Sequence, residues 1–406
     1  MVSPDPQAIV QTFPMDAPAK AEQQRASEGV PATLVGCAPD QAQSSGAIYR
    51  ICLPAEWNGD LVVYAHGYVS PFRPVEIPEE QVGPLPDIFN GLGFAFATTS
   101  YAANGLAVKE GIPDLLELVE IFRRDYGDPG AIYLVSFSLG ALISTLATEQ
   151  TPDWVTASLP SCGPIGSFRA QIDSIGDFRV IFDYFFPGLI PGSPVAIPQA
   201  VIDEWESVYE PRIQAALTAN PAAAQQVIAV TGAATNPEDP SSLESTFLEV
   251  LWYNVFSTND AAARLGGQPY DNQERVYRGS NQDFLLNQRV PRFAAEASAL
   301  TEIATHYETS GGLRIPTQTM HTLRDPLVPY WHEPLYRLKV LQNREGRHHR
   351  HIPIDRYGHC AFSPGQLLAD FALMVRQVTG SGLVDPTRVL TDPQDQVDFQ
   401  AVMALE

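Results

Sequence analysis

Residues 131–150 read AIYLVSFSLGALISTLATEQ, and the change of period inside this stretch decides the fold. Its first half is rich in Ile, Tyr, Leu and Val, which suits a strand buried on both faces. In its second half Leu139, Leu142, Ile143 and Leu146 recur at helical spacing. No loop separates the two patterns, so the chain passes from strand to helix over a single residue, Ser138. A turn that sharp strains its central residue and pushes the side chain out above the sheet. Ser136 and Gly140, two before and two after, are small enough to let strand and helix cross closely.

Outward from this turn, strands are predicted over 47–54, 61–67, 94–101, 131–137 and 155–162, each bounded by Gly, Pro or Asn. Between them the run Pro113–Tyr126 (PDLLELVEIFRRDY) sets Leu115, Leu118, Val119 and Phe122 on one stripe, with Pro113 expected in the first helical turn. Strands alternating with helices indicate an α/β fold with a mostly parallel, doubly wound sheet. The alternation stops near Cys162 and returns near Arg314, where 314–322 and 348–355 read as two further strands. The intervening residues hold amphipathic runs such as AVIDEWESVYEPRIQAAL and SSLESTFLEVLWYNVF and almost nothing strand-like, which predicts a large helical cap inserted after the sixth strand. The expected organisation is an N-terminal arm over 1–30, a sheet core over 31–164 and 311–406, and a helical cap over 165–310.

Of 406 residues, 45% are apolar, and no apolar run approaches the roughly 20 residues of a membrane helix, so a globular chain without a membrane span is expected. The net charge of −22, with only 25 basic residues, argues against nucleic acid and polyanionic substrates as partners. A small molecule is the expected partner, and the acid excess reads as a solubility feature. The four cysteines, Cys37, Cys52, Cys162 and Cys360, contain no Cys-x-x-Cys pair, which removes support for a zinc ribbon or thioredoxin chemistry. Disulfides are the favoured reading and buried free thiols the alternative; Cys37 and Cys52 flank a short polar segment that would make a closed loop. Disulfides point to a secreted or periplasmic location. Residues 1–10 (MVSPDPQAIV) lack the basic start and apolar core of a leader, so such a location implies a leader already removed.

A serine is a weak nucleophile until a base takes its proton, so an exposed Ser138 predicts a histidine, and the histidine predicts a carboxylate that fixes its tautomer. After the penultimate strand comes HTLRDPLVP, which places Asp325 just past a strand end. After the last strand comes DRYGHCAF, which places His359 in a loop at the same edge. Groups at the carboxyl ends of parallel strands can meet although they are far apart in sequence. Asp355, four residues before His359, is the rival carboxylate, expected to point along the sheet. Attack on a carbonyl also needs donors for the developing oxyanion. The Leu139 N–H at the helix start is one candidate, and the loop YAHGYVSP supplies Tyr68 N–H, with Gly67 next. His66 is expected to order that loop. His321 and His332 lie near Asp325 in sequence. His348, His349 and His351 resemble a metal tract, but strand alternation sends neighbours to opposite faces, so a solvated strand entrance and no metal site are expected.

With SFSLG, AHGY, RDPLVP and YGHCAF in this order, the chain resembles the α/β-hydrolase superfamily over roughly 45–162 and 312–378. The cysteine after His359 is similar to secreted feruloyl-esterase and tannase-type enzymes, in which a disulfide ties nucleophile and histidine loops; here Phe137, not Cys, precedes the serine. The resemblance implies a serine esterase with a Ser138–His359–Asp325 triad, an acyl-enzyme intermediate, and no cofactor. A peptidase of the prolyl-peptidase kind is the first alternative and needs an acidic or polar cap group to bind a free amino terminus. A silent binding protein of the same fold is the second, although no triad residue is missing. Cys162, ending the sixth strand, and Cys360, after the histidine, both fall at the carboxyl edge and are expected to pair.

The cap carries Phe168, Phe178, Phe182, Tyr184, Phe185 and Phe186 in its first segment and Trp252, Tyr253 and Phe256 later. At helical spacing such residues ordinarily form core packing. The functional reading makes Phe168, Phe182, Phe186 and Trp252 walls of an apolar pocket for compact aromatic or medium aliphatic esters.

Overall fold

Every residue of Leu61–Ala65 is buried, with Leu61, Val63 and Ala65 in one hydrophobic core and Val62 and Tyr64 in another. Because strand side chains alternate, such a strand requires cover on both faces. A computed structural model describes residues 35–380 and 384–405 and supplies that cover; the arm expected over 1–30 lies outside the described residues.

The strands are β1 (Gly36–Cys37), β2 (Gln41–Ala42), β3 (Ile48–Leu53), β4 (Leu61–Ala65), β5 (Ala95–Thr99), β6 (Ile132–Phe137), β7 (Ala157–Ser161), β8 (Thr317–Arg324) and β9 (His349–Tyr357). They form one sheet in the order β1-β3-β5-β4-β6-β7-β8-β9, with β2 also on β3. From β5 to β9 the pairing is parallel, and β3 runs against its neighbours β1, β2 and β5. Before the insert come α1 (Glu79–Val82), α2 (Leu85–Gly91), α3 (Val108–Tyr126) and α4 (Leu139–Gln150). After β8 come α12 (His332–Gln342), α13 (Pro364–Thr379) and α14 (Pro393–Met403), following the insert's α5 to α11. Helices α3 and α4 pack on one face of the sheet, and α2, α13 and α14 on the other. This is the α/β-hydrolase architecture that the sequence implies.

Two details differ from the sequence reading. Helix α3 begins at Val108, so Pro113 lies inside it rather than in its first turn. The missing Pro N–H leaves the carbonyl of Lys109, an exposed residue, without its helical donor, a gap that water can fill. The five strands read from the sequence before the insert are β3 to β7, and the two-residue strands β1 and β2, too short to show a period, make the strand before the insert the seventh rather than the sixth.

The insert holds α5 (Phe168–Phe185), α6 (Gln199–Asp203), α7 (Glu210–Ala219), α8 (Pro221–Thr231), α9 (Ser242–Arg264), α10 (Asp283–Arg289) and α11 (Ala297–His306). Among the described residues its only β pairing is an isolated bridge between Ser193 and Ala196. It has a core of its own, with Phe178, Phe182, Trp205, Phe247, Leu251 and Val255. Each such side chain contributes about 1.5–3 kcal/mol on burial. Arg179, fully buried, fastens α5 to α9 by donating to Asn254 Oδ1 (3.1 Å) while pairing with Asp183 (2.9 Å). The ends of the insert join the sheet's own core: Phe168, Leu265, Ile303 and Tyr307 pack in one cluster with Leu118 and Leu139.

Candidate active site

Between β6 and α4 the backbone of Ser138 takes φ 54° and ψ −124°, a region that favours glycine, and it does so with no intervening loop. The crossing that this requires is close. A Cβ on Gly140 would stand 2.1 Å from Ala65 O and 2.5 Å from His66 O, so only glycine fits there. Ser136 serves in the other small position, buried, with its Oγ 2.6 Å from Ser144 Oγ on α4. The turn thus presents the Ser138 hydroxyl at the carboxyl edge of the sheet.

There the structure brings together the three residues singled out in the sequence. Ser138 Oγ lies 2.8 Å from His359 Nε2, and His359 Nδ1 lies 2.8 Å from Asp325 Oδ2. The second carboxylate oxygen of Asp325 accepts from the amides of Leu327 (2.9 Å) and Val328 (2.8 Å), which fixes its plane. With Nδ1–H donated to Asp325, Nε2 is left to accept the serine proton. Burial works to raise the Asp325 carboxyl, but the charge on His359 and the hydrogen bond from His321 hold it well below the usual carboxylate range. Burial works to lower the His359 imidazole, and the Asp325 charge outweighs it, so the net direction is upward. Asp355 is not part of the group: it lies on the surface, paired with Arg324 at 2.7 Å.

Of the oxyanion candidates, Gly67 is corrected. Its N–H donates to Gln81 Oε1 at 2.7 Å and is not free to serve. Gln81 Nε2 in turn donates to Tyr68 O at 3.0 Å, so one side chain clamps the loop from both sides. The Tyr68 amide has no hydrogen-bond partner among the described residues, and the Leu139 amide, first in α4, has no intrahelical acceptor. Gly67 matters sterically, since a Cβ there would lie 3.1 Å from Ser138 Cβ. His66 is buried, stacks on Tyr101 and bonds Gly67 O through Nδ1 at 2.7 Å. Burial pushes it down to about 4, so it is a neutral strut of this loop.

Behind Asp325 lies a polar chain that the sequence did not reveal. His321 Nε2 lies 3.4 Å from Asp325 Oδ2, and its Nδ1 lies 3.1 Å from Glu333 Oε1. Glu333 Oε2 meets His351 Nδ1 at 3.0 Å and accepts from Thr319 Oγ1 at 2.7 Å; His351 Nε2 ends the chain on Tyr330 OH, 3.0 Å away. Burial works against charge on His321, but hydrogen bonds to Asp325 and Glu333 raise it to about 10. It is therefore an imidazolium between two carboxylates. The expected solvated entrance is corrected here: His349 is buried against Tyr336, and burial pushes it down to about 3. Helix α12 covers this side of β9, which local alternation could not reveal. His332 is buried elsewhere, accepting from Gly166 N (3.0 Å) and bonded to Gln171 Oε1 (2.9 Å). No cluster with metal-ligand geometry occurs among the described residues.

The cap aromatics divide. Phe168 packs on Tyr307 in the sheet's core, and Phe182 and Phe186 stack together inside the insert, with Phe182 wholly shielded. Their burial is the packing role that helical spacing ordinarily signals, which corrects the expectation that they wall a pocket. Trp252 differs: it is half-buried, stacks on Phe256 and meets Tyr68 of the oxyanion loop edge-on.

Both expected disulfides are present, Cys37–Cys52 and Cys162–Cys360. The second joins the end of β7 to the residue after His359.

No family model matches the sequence, and no curated protein matches it. Among solved structures the chain is similar to Candida antarctica lipase A, with 13% identity, coverage of 90% of this chain and 84% of that one, and a TM-score of 0.45. It is similar to a Pyrococcus furiosus esterase at 12% identity, covering 86% and 91%, with a TM-score of 0.40. It is also similar to a Pyrococcus horikoshii acylaminoacyl peptidase at 11% identity, covering 80% of this chain, with a TM-score of 0.39. The chain spans only 37% of that peptidase and 43% of another acylaminoacyl peptidase that it matches. These are likenesses of fold.

Proposed function

We propose that this chain is a serine hydrolase that cleaves carboxylic esters through an acyl-enzyme. The observation that carries the reading is the unbroken relay of two 2.8 Å contacts from Ser138 through His359 to Asp325. Ser138 Oγ attacks the ester carbonyl carbon as His359 Nε2 takes its proton. The oxyanion is met by the Tyr68 and Leu139 amides, and collapse expels the alcohol, which leaves with the proton from His359. Water then gives a proton to His359 and attacks the acyl carbon. Collapse breaks the Ser138 Oγ–acyl bond as His359 returns the proton to Oγ, and the acid is released.

The half-buried aromatics Trp252, Tyr253 and Phe256 beside Tyr68 support an acyl or alcohol group of compact, partly aromatic shape. With His359 only 9% exposed beneath the insert, long lipids and solid polyesters are poor candidates. The two disulfides support a secreted or periplasmic location, and no helix among the described residues is long and apolar enough to cross a membrane.

Initial rates on a short-chain aryl ester, its matched anilide, an emulsified long-chain lipid and a polyester film test the reading. Fastest turnover of the aryl ester is expected. A faster anilide would move the assignment to an amidase, and dominant activity on lipid or film would refute the compact substrate.

A further inference from the structure

A cavity of about 220 Å³ lies between the sheet and the helices on the face opposite α3 and α4. Val135 of β6 and Leu159 of β7 line it from the sheet, Leu85 and Phe89 from α2, and Leu368 and Phe371 from α13. All six are buried, whereas Gly83, Pro84 and Pro364 in the same wall are exposed. The cavity therefore opens to solvent between the α1–α2 turn and the start of α13. None of Ser138, Asp325 and His359 lines it. It backs onto the nucleophile turn all the same, because its wall includes Phe137, which precedes Ser138, and Gln81, whose amide holds Gly67 and Tyr68.

Four polar side chains join this apolar wall, and two are already engaged: Glu80 pairs with Arg73, and both ends of Gln81 go to the oxyanion loop. The other two lie deep, with Ser161 1% exposed and Asp370 3%. Asp370 Oδ1 accepts from Gln318 Nε2 at 2.6 Å, but Asp370 Oδ2 and the Ser161 hydroxyl have no hydrogen bond among the described residues. Buried polar atoms ordinarily find partners. Here the two that do not are both in the wall of one apolar space. Burial pushes the Asp370 carboxyl up to about 7, so at neutral pH it exists both with and without its proton.

We propose that this cavity is a second binding site, separate from the catalytic centre, for a compact neutral alcohol whose aryl or short alkyl group fills the apolar space and whose hydroxyl pairs with Asp370. The proposal does not depend on the serine-hydrolase reading. An apolar cavity of about 150 Å³ is enough to hold benzene, so this one has room for a ring and a short polar arm. A hydroxyl suits Asp370 in either state, donating to the carboxylate and accepting from the protonated acid. A hydrocarbon of the same shape would leave the Asp370 oxygen unpaired. An ionised carboxylic acid would bring a like charge into a wall that already holds Asp370 and Glu80.

The test needs no turnover. Isothermal titration gives the association constants of benzyl alcohol and toluene, which differ by the hydroxyl, and the quantity read is their ratio, in which any general change of the cavity cancels. The ratio is expected to fall about tenfold in Asp370→Leu, the size of one hydrogen bond to an ionisable group, and about threefold in Asp370→Asn, whose amide still donates and accepts. The asparagine variant keeps the comparison available if the leucine variant does not fold. A ratio equal to wild type in either variant overturns the proposal, as does the lack of saturable binding of benzyl alcohol by the wild-type protein. Crystals of the wild-type protein grown with 4-bromobenzyl alcohol locate the ligand independently. The anomalous peak of bromine is expected among Leu85, Val135, Leu159 and Leu368; a peak beneath the insert beside Trp252, or ordered water alone in the cavity, overturns the site.

Discussion

His321 Nε2 stands 3.4 Å from Asp325 Oδ2, on a side chain wholly shielded from solvent. The carboxylate that orients His359 thus has a second histidine beside it, whose Nε2 bonds Val328 O at 2.8 Å and whose Nδ1 faces Glu333. His321→Gln removes the cation from between two buried carboxylates. A loss of about 3–5 kcal/mol in unfolding free energy is expected by urea denaturation. In the protein that still folds, loss of a positive charge near His359 raises the imidazole further and moves the acid limb of kcat/KM to higher pH. Unchanged stability and an unchanged limb would mean that His321 is neutral and inert.

Ser138→Ala should lower kcat by several orders of magnitude while far-UV circular dichroism stays native, because triad members act as a unit. In the wild-type protein a serine-directed phosphonate should add to Ser138 alone, read by peptide mass. Retained activity in the alanine variant would end the assignment.

Catalysis needs His359 neutral, and its pKa is raised above the ordinary value of about 6.5. The rate therefore falls as pH drops through a midpoint above that value. Glu249 contributes to the rise, so Glu249→Gln should shift the midpoint downward. Because Glu249 itself is pushed up to about 7, the two groups titrate together in the wild type and the limb is broad. A flat profile between about pH 5 and 8 would exclude a histidine base.

Two glycines near Ser138 should fail in different ways. In Gly140→Ala the new methyl meets backbone oxygens at 2.1 and 2.5 Å, so the strand and helix must separate and soluble yield or Tm should drop sharply. In Gly67→Ala the methyl meets Ser138 Cβ and Gln81 Oε1, both at 3.1 Å, and small shifts suffice. That variant should fold with near-native Tm and lose kcat, since the Tyr68 amide is displaced. A kcat equal to wild type would argue that this loop does not bind the oxyanion.

The sequence disclosed whatever has a local period or a local cause. The strand-to-helix change at Ser138, the sheet, the helical insert and the loops of Asp325 and His359 were all legible, because each follows from side-chain spacing or a strand end. What stayed hidden depends on which elements become neighbours. Gln81 clamps Gly67 across 14 residues, and Glu333 on α12 meets His351 on β9. Nothing in the HHRH run reveals that α12 will cover it. Phe182 and Trp252 look alike in an apolar helix, yet only packing decides that one is interior and the other faces Tyr68. Glu249 did leave a trace: it is an acid on the same helical stripe as Thr246, Tyr253 and Phe256, in the segment LEVLWYNVF.

The disulfide between Cys162 and Cys360 spans 198 positions and encloses the whole insert together with β8, α12 and β9. In covalent terms this bond makes a large ring with two tails, the N-terminal tail carrying Ser138 and the small Cys37–Cys52 ring, while Asp325 and His359 lie within the large ring. A protease that nicks the helical insert opens the ring without dividing the molecule. The fragment bearing the serine stays tethered beside the fragment bearing the histidine, and only a reductant lets the two part.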